Sequence, residues 1–289
     1  MKEIGWDDLQ VFYHVAEGGG LSGAGRALGL SAATVGRRML SLEQATGQAL
    51  FERSQAGYAL TGAGRALFQK VRAMQAAARP VAVLLSPEQA RPIVRLTAGT
   101  ATAMFLADKF RLLWQPGDGF RLNFVTTEAV LDIAHREVDL GIRNRPAESG
   151  NLASLKLGML RFAPFRSWSA QRPELLEWVA LDPAHARHPA ARWLHQQDLP
   201  ICAFASSVST VHDLVRAGAG IGVMPCLIGD LDPTLARAGE IIEDLTETQY
   251  LAMHADDRHL PHIRTVIDRL GAVYVENAEL LAGARPLRR

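Results

Sequence analysis

Three groups of residues in this 289-residue chain have types and spacings that could do chemistry. The first is Thr34, Arg37, Arg38 and Ser41, which fall on one side of a helical repeat while Val35, Met39 and Leu42 take the other. Hydroxyl and guanidinium groups on an exposed helix face suit phosphate oxygens and base edges. The second group sits where predicted strands end: Gly99-Thr100-Ala101-Thr102, Thr126-Thr127-Glu128, Arg143-Asn144 and Ala205-Ser206-Ser207. In open α/β sheets such strand ends, with the free amides of the helices that follow, bind small polar ligands, anions above all. Each Thr or Ser can equally cap its own helix, although capping gives no reason for an arginine. The third group is nine histidines, two cysteines and Gly218-Ala219-Gly220-Ile221-Gly222. Only His185/His188 and His259/His262 fall at i, i+3, beside proline and without acidic or thiol partners at ligand spacing. The glycine-rich segment precedes a strand rather than a helix, which is the wrong context for a dinucleotide fingerprint. Cys202 and Cys226 match no zinc pattern and read as buried structural cysteines, a redox pair being the alternative. No catalytic residue, metal ligand or cofactor is expected.

Positioning the first group requires a small helical module. Asp7 and Asp8 can cap a first helix that carries Leu9, Phe12 and Ala16 on one face and ends at Gly18-Gly19-Gly20. Ser22 is the candidate cap of a short second helix through Leu28, with Leu21 as its staple. Gly29 turns the chain, and Ser31 caps a third helix to about Thr46, closed by Gly47. Two short helices about a glycine turn, the second presenting hydroxyls and paired arginines, form a helix-turn-helix. A small helical bundle with a solvated basic face is the plainer alternative. Leu50-Phe51-Glu52-Arg53 and Tyr58-Ala59-Leu60 flank Ser54-Gln55-Ala56-Gly57 as a hairpin, the wing of a winged helix, with Arg53 placed to touch phosphate.

Thr61 opens a longer helix. Its Leu67, Val71, Met74, Ala78, Val81 and Leu85 alternate steps of four and three, which is a coiled-coil seam. Homodimerisation through that seam is expected, the alternative being packing on its own domain. Pro80 lies inside the seam and predicts a kink or break near residues 76–80, because it removes one N–H and crowds the preceding turn.

Beyond residue 90, strands and helices alternate: strands at 93–98, 120–125, 138–142, 200–204 and 221–224, and helices at 101–114, 129–136, 211–217 and 261–282. Alternation of this kind predicts parallel sheets covered by helices, and about 200 residues suffice for two lobes.

Charge follows the same division. The formal net charge is only +1, which by itself argues against a nucleic-acid binder. Residues 20–70, however, hold six basic and two acidic side chains, whereas residues 91–289 hold 22 and 23. A basic patch is thus hidden in a neutral total. The longest charge-free runs, 199–212 and 217–229, fall short of the ~18–20 residues of a membrane span. The start, Met-Lys-Glu-Ile-Gly-Trp-Asp-Asp, has no apolar stretch of a secretory signal. A cytoplasmic protein that does not enter membranes is expected.

The N-terminal run resembles the LysR-type transcriptional regulators. The resemblance is carried by Asp8-Leu9-Gln10-Val11-Phe12, by residues 20–28, by Ser31-Ala32-Ala33-Thr34-Val35-Gly36-Arg37-Arg38, and by Leu42-Glu43, Gly47, Leu50-Phe51-Glu52-Arg53 and Leu60-Thr61-Gly62-Ala63-Gly64. Asp139-Leu140-Gly141-Ile142-Arg143 and residues 215–225 resemble recurring segments of that family's sensor domain. The resemblance implies an α+β multidomain protein. Residues 1–64 would be a winged helix-turn-helix, 65–90 a linker and dimerisation helix, and 91–289 an effector-binding domain of the type 2 periplasmic-binding fold. Its lobe I would take 91–160 and 256–289, and lobe II 161–255.

The implied DNA-facing residues are Ser22, Arg26, Ser31, Ala32, Ala33, Thr34, Arg37, Arg38, Ser41 and Arg53. The effector would touch Thr100, Thr102, Thr127, Arg143 and Ser206, with Arg143 able to grip a carboxylate. The seam residues Leu67, Val71, Met74, Ala78 and Val81 would join the subunits. Partners are then double-stranded DNA, a small-molecule effector with an organic anion as the candidate, and a homodimer or homotetramer. Where the family often has Ser-Gln-Pro-Ala-Val-Ser, this chain lacks the glutamine, so base contact moves to Thr34, Arg37 and Arg38. The alternatives are a cytoplasmic α/β small-molecule-binding protein and a DNA-binding protein without a working effector site.

Overall fold

The structure, a computed structural model, describes residues 4–54, 57–85, 91–126, 133, 138–147, 151–185 and 189–285. The chain forms two compact units, Met1–Ala90 and Arg91–Arg289.

In the first unit, α1 (Trp6–Glu17), α2 (Leu21–Leu28) and α3 (Ala32–Thr46) precede a hairpin of β1 (Phe51–Ser54) and β2 (Gly57–Leu60), and α4 (Gly62–Leu85) follows. Phe12 and Val15 of α1, Ala24 of α2, Val35, Met39 and Leu42 of α3, and Leu50 and Phe51 form one buried cluster. The turn between α2 and α3 is closed by a lack of side chain: a Cβ on Gly25 would lie 2.6 Å from the Leu30 carbonyl oxygen. Ser31 caps α3 by accepting from the Thr34 amide at 3.1 Å. Gly47 ends it in the left-handed region at φ 68°. The expected cap at Ser22 is wrong. α2 starts at Leu21 behind Gly20, two residues before a cap at Ser22 would place it, and the φ of 154° at Gly20 suits glycine, so Ser22 stands exposed in the first turn; α1 likewise starts at Trp6 behind Gly5, which leaves Asp7 and Asp8 in its first turn rather than at its cap. Glu43 ties α3 to the hairpin, its Oε1 accepting from the Leu50 and Phe51 amides at 2.8 and 3.2 Å.

α4 bears on two expectations. It runs through Pro80 as one helix, so of the expected kink or break the break is absent; one missing N–H removes a single rung, and the neighbouring rungs carry the helix on. Its apolar stripe also has a partner within its own unit. Val71 is 1 % exposed in the same cluster as α1, with Leu67 and Phe68 packed alongside. Tyr13 of α1 stacks on Phe68 at 5.7 Å between ring centres. Only farther along does the stripe reach the surface, at Met74, which is 46 % exposed.

The second unit begins with β3 (Ile93–Ala98), α5 (Thr100–Asp108), α6 (Phe110–Leu113), β4 (Arg121–Thr126), β5 (Leu140–Arg143) and β6 (Leu152–Leu160). It continues with β7 (Phe162–Ser167), β8 (Trp178–Leu181), α7 (Pro189–His195), β9 (Ile201–Ala205), α8 (Val208–Arg216), β10 (Ile221–Pro225), α9 (Cys226–Gly229) and β11 (Leu235–Arg237). β12 (Glu247–His254), α10 (Pro261–Glu276) and α11 (Ala278–Leu281) complete it. Two five-stranded sheets result, ordered β4-β3-β5-β12-β6 and β11-β7-β10-β8-β9. Neither is purely parallel, contrary to expectation. β12 runs antiparallel to β5 and β6, and β7 runs antiparallel to β10 and β11.

The lobe assignment also needs correction. β12 hydrogen-bonds β5 and β6 of the first sheet, so the chain returns to the first lobe before residue 247 rather than at 256. Its sequence hides this, because Leu251 to His254 are all buried and the strand lacks a period-two pattern. The two predicted long helices are each divided, at Lys109 and at Asn277. The expected helix at 129–136 lies almost wholly outside the described residues.

Between β6 and β7 stands the single residue Arg161, so the first crossing between lobes is abrupt. The C-terminal segment makes a further connection: the Arg161 amide donates to Leu281 O at 3.0 Å, and Arg237 donates to Gly283 O at 2.6 Å. Arg237 and Asp230 form an ion pair with side chains 6 % and 1 % exposed. Burial pushes the Asp230 carboxyl upward even against its Arg237 partner.

Candidate nucleic-acid interface and ligand cavity

The outer face of α3 follows from its inner one. With Val35, Met39 and Leu42 buried, Ser31, Ala32, Ala33, Arg37 and Ser41 are exposed, and Thr34 is half-buried at the tip. The Ser31 and Thr34 hydroxyl oxygens lie 2.8 Å apart, and Arg37 Nη2 donates to Thr34 Oγ1 at 3.4 Å. A hydroxyl pair and a guanidinium therefore share one edge of the helix N-terminus. Arg38 leans away from this edge toward α1, 3.9 Å from Asp8. Ser22 and Arg26 are exposed on α2. The side chain of Arg53 lies outside the described residues. Leu40, which nothing in the sequence marked, is 45 % exposed three residues after Arg37.

In the second unit the strand ends converge on a cavity of about 260 Å³. Thr100 and Thr102 after β3, Arg143 and Asn144 at and after β5, and Ser206 after β9 all line it. Thr127 lies outside the described residues. The choice between capping and cavity is settled locally. The cap of α5 is Gly99, with no side-chain hydrogen bond, so neither threonine caps it. The cap of α8 is Ser207, whose Oγ accepts from the Thr210 amide at 3.2 Å, which leaves Ser206 exposed. Apolar walls come from both lobes, among them Ile142 and Leu160 on one side and Leu181, Leu194 and Val223 on the other.

Two contributors were not visible in the sequence: Glu247 and Gln249, both on β12. Gln249 Nε2 donates to Thr102 Oγ1 at 2.9 Å, while the Tyr274 hydroxyl donates to Gln249 Oε1 at 2.7 Å. Burial pushes the Tyr274 phenol upward, so it stays a neutral donor. Thr102 is 4 % exposed and its oxygen already accepts, so its own proton remains to be donated. Asn144 Nδ2 donates to Glu247 Oε2 at 2.6 Å.

Arg143 is placed otherwise than its chemistry suggested. Ile142 pairs with Leu251, so strand alternation puts Glu247 and Gln249 on the Ile142 face of the sheet and Arg143 on the other. Its guanidinium lies over Gly141, where a Cβ would be 3.2 Å from Cζ and Nη2. Nη1 donates to the Ile142 carbonyl at 3.1 Å, and Nη2 is buried without a hydrogen-bond partner among the described residues. Desolvation draws this guanidinium below its usual range. Arg143 lines the cavity, with its guanidinium held over Gly141.

The cysteines divide. Cys226 is fully buried, its thiol pushed up to about 12 by burial and by Asp230. Cys202 is exposed on β9, so the expectation of two buried cysteines is half wrong.

Residues 6–65 match the bacterial regulatory helix-turn-helix protein, lysR family, and residues 88–274 match the LysR substrate binding domain. The Mau operon transcriptional activator of Paracoccus denitrificans is 30 % identical over 162 residues, 55 % of this chain and 57 % of that protein. The HTH-type transcriptional regulator TfdS of Cupriavidus pinatubonensis is 25 % identical over 90 % of this chain and 95 % of its own length. Among solved structures, a full-length OxyR variant from Pseudomonas aeruginosa superposes with a TM-score of 0.66. It is 17 % identical and covers 99 % of this chain and 98 % of that one, a likeness of fold alone. Among the described residues no helix is long and apolar enough to cross a membrane. With a helix-turn-helix domain matched in the first unit and a substrate-binding domain matched across most of the second, the chain belongs to the LysR family of bacterial helix-turn-helix transcriptional regulators.

Proposed function

We propose that α3 enters the major groove with Thr34 and Arg37 reading base edges, and that the cavity of the second unit holds the effector that controls this binding. The observation that carries the reading is the convergence of Thr100, Thr102 and Ser206 on one cavity walled by apolar residues of both lobes. Arg26, Arg38 and Arg53 supply phosphate contacts, and Ser22, Ser31, Ala32, Ala33 and Ser41 line the approach. Each phosphate neutralised should steepen the salt dependence by about −0.9 in log–log slope. Leu40 adds apolar surface beside Arg37, suited to a thymine methyl group.

The subunits join through α4 beyond its own packing, at Met74, Ala78 and Val81 rather than at Leu67 and Val71. Replacing the half-exposed Met74 by Glu should lower the mass measured by light scattering; an unchanged mass would exclude that contact. The protein works in the cytoplasm as a regulator and carries out no catalysis.

Sequencing DNA that co-purifies with the protein tests the DNA half, since a shared motif is expected. A thermal-shift screen of organic acids and amino acids tests the cavity, with Leu181→Trp as the filled control. Hits that survive in Leu181→Trp would place the ligand elsewhere.

A further inference from the structure

The chain crosses between the lobes of the second unit at Arg161, which stands alone between β6 and β7, and again in the segment from β11 to β12. These crossings run side by side. The Ile242 amide donates to Phe162 O at 2.9 Å, and Arg161 Nη1 donates to Glu243 Oε2 at 2.5 Å. Two adjacent connections leave the lobes able to bend about them as a hinge. The C-terminal segment adds a connection that does not lie on that hinge alone. Leu280 and Leu281 are buried, and α11 packs on β6 of the first lobe and on α9 of the second. α9 also touches α5, so it meets two elements of the first lobe. At the crossing itself, Leu281 O accepts from the Arg161 amide.

Two residues later the segment is anchored inside the second lobe. Gly283 takes a φ of 69°, the left-handed turn that ends a helix, and Arg237 Nη2 donates to its carbonyl at 2.6 Å. There is no room for a side chain here. A Cβ would lie 2.6 Å from Ile241 Cδ1 and 3.0 Å from both Arg237 Nη2 and Cys226 Sγ. Asp230 holds the same guanidinium, accepting from Nε at 3.0 Å. Arg237 lies on β11 opposite Phe165, four residues beyond Arg161, so this anchor is set away from the crossing. Bending at the hinge would pull the Gly283 carbonyl from a buried guanidinium, a charge-assisted bond that is costly to leave unmade. We propose that Ala278–Ala284 is a strap across the hinge, fastened between Arg237 and Gly283 O, and that its hold sets how far the lobes can part. The strap keeps together the two walls of the cavity, so a change in it alters ligand affinity without touching the ligand.

The test is the distance between the lobes in the ligand-free, full-length protein, measured by pulsed electron paramagnetic resonance. Spin labels at the exposed positions Lys156→Cys and Arg172→Cys, in a Cys202→Ser background, mark one site on each lobe. Dilution with unlabelled chain removes distances between subunits. In the parent a single distance should make up about 90 % or more of the distribution, and in the strap variants a second distance should grow several-fold. Those variants are a chain ending at Asn277 and Gly283→Ala, the milder change, which decides the matter if the shortened chain does not fold. Arg161→Ala keeps the amide that meets Leu281 and loses the contact with the exposed Glu243, and should match the parent. No ligand is added, so the result is independent of the effector reading. A distribution unchanged by Gly283→Ala and by the shortening would overturn the strap, as would a second distance that appears in Arg161→Ala alone.

Discussion

The face of α3 and the cavity of the second unit are both polar, yet they are built in opposite ways. On α3 the functional groups project from a closed core into solvent, and their few contacts are with one another, as between Arg37 and Thr34, or with an exposed carboxylate of α1, as between Arg38 and Asp8. In the second unit the polar groups are inside. Thr102, Gln249 and Tyr274 form one buried chain, and Asp230 and Arg237 another. The difference teaches where function and stability can be separated. An exposed side chain can be removed without an unpaired group being left behind, whereas a buried one cannot.

That contrast can be broken in a graded way, provided the unfolding of the two units is followed separately. Asp230→Ala should be the most damaging, because it strands the Arg237 guanidinium in the core; a loss of about 3–5 kcal/mol is expected in urea denaturation of the second unit. Gln249→Ala strands the Tyr274 hydroxyl as well as emptying space, at about 2–3 kcal/mol, and should weaken effector binding at the same time. If either variant proves as stable as the parent, the internal networks are not structural.

Val71→Ala should cost about 2 kcal/mol in the first unit through the cavity it leaves. The loss should not depend on protein concentration, because Val71 packs on its own α1. A concentration-dependent loss would return Val71 to the subunit interface. Arg37→Ala should change stability by less than ~0.5 kcal/mol and yet weaken specific DNA binding by about 1–3 kcal/mol.

The same contrast decides what the sequence could reveal. The first unit is read locally. The α3 stripe, the Ser31 cap, Gly47 and the hairpin come from neighbours within a few residues, and each falls where its spacing puts it. Its errors are local too: Ser22 lost the cap to Gly20 because α2 begins two residues early. The stripe of α4 shows the limit of such reading, since periodicity identifies an apolar face without naming what covers it. The ends of β3 and β9 were legible, because a hydroxyl after an apolar run is a nearby signal. Glu247 and Gln249 were not. They reach the cavity through a strand that pairs with residues about 90 to 110 positions earlier, and the buried second half of β12 erases the alternation that would have announced it. Arg143 was legible as a strand-end arginine and lines the cavity, but the way its guanidinium lies over Gly141 is a property of the sheet that local reading does not reach.

The central claim is that a ligand in the second unit controls the DNA contact made by the first. Fluorescence anisotropy of the co-purified DNA, with wild type and Thr102→Val titrated in the presence and absence of a ligand from the screen, tests it most directly. The account predicts that the ligand alters the wild-type binding curve, and that Thr102→Val binds DNA normally but no longer responds. An equal response in both proteins, or none in a wild type shown to hold the ligand in its cavity, would contradict it.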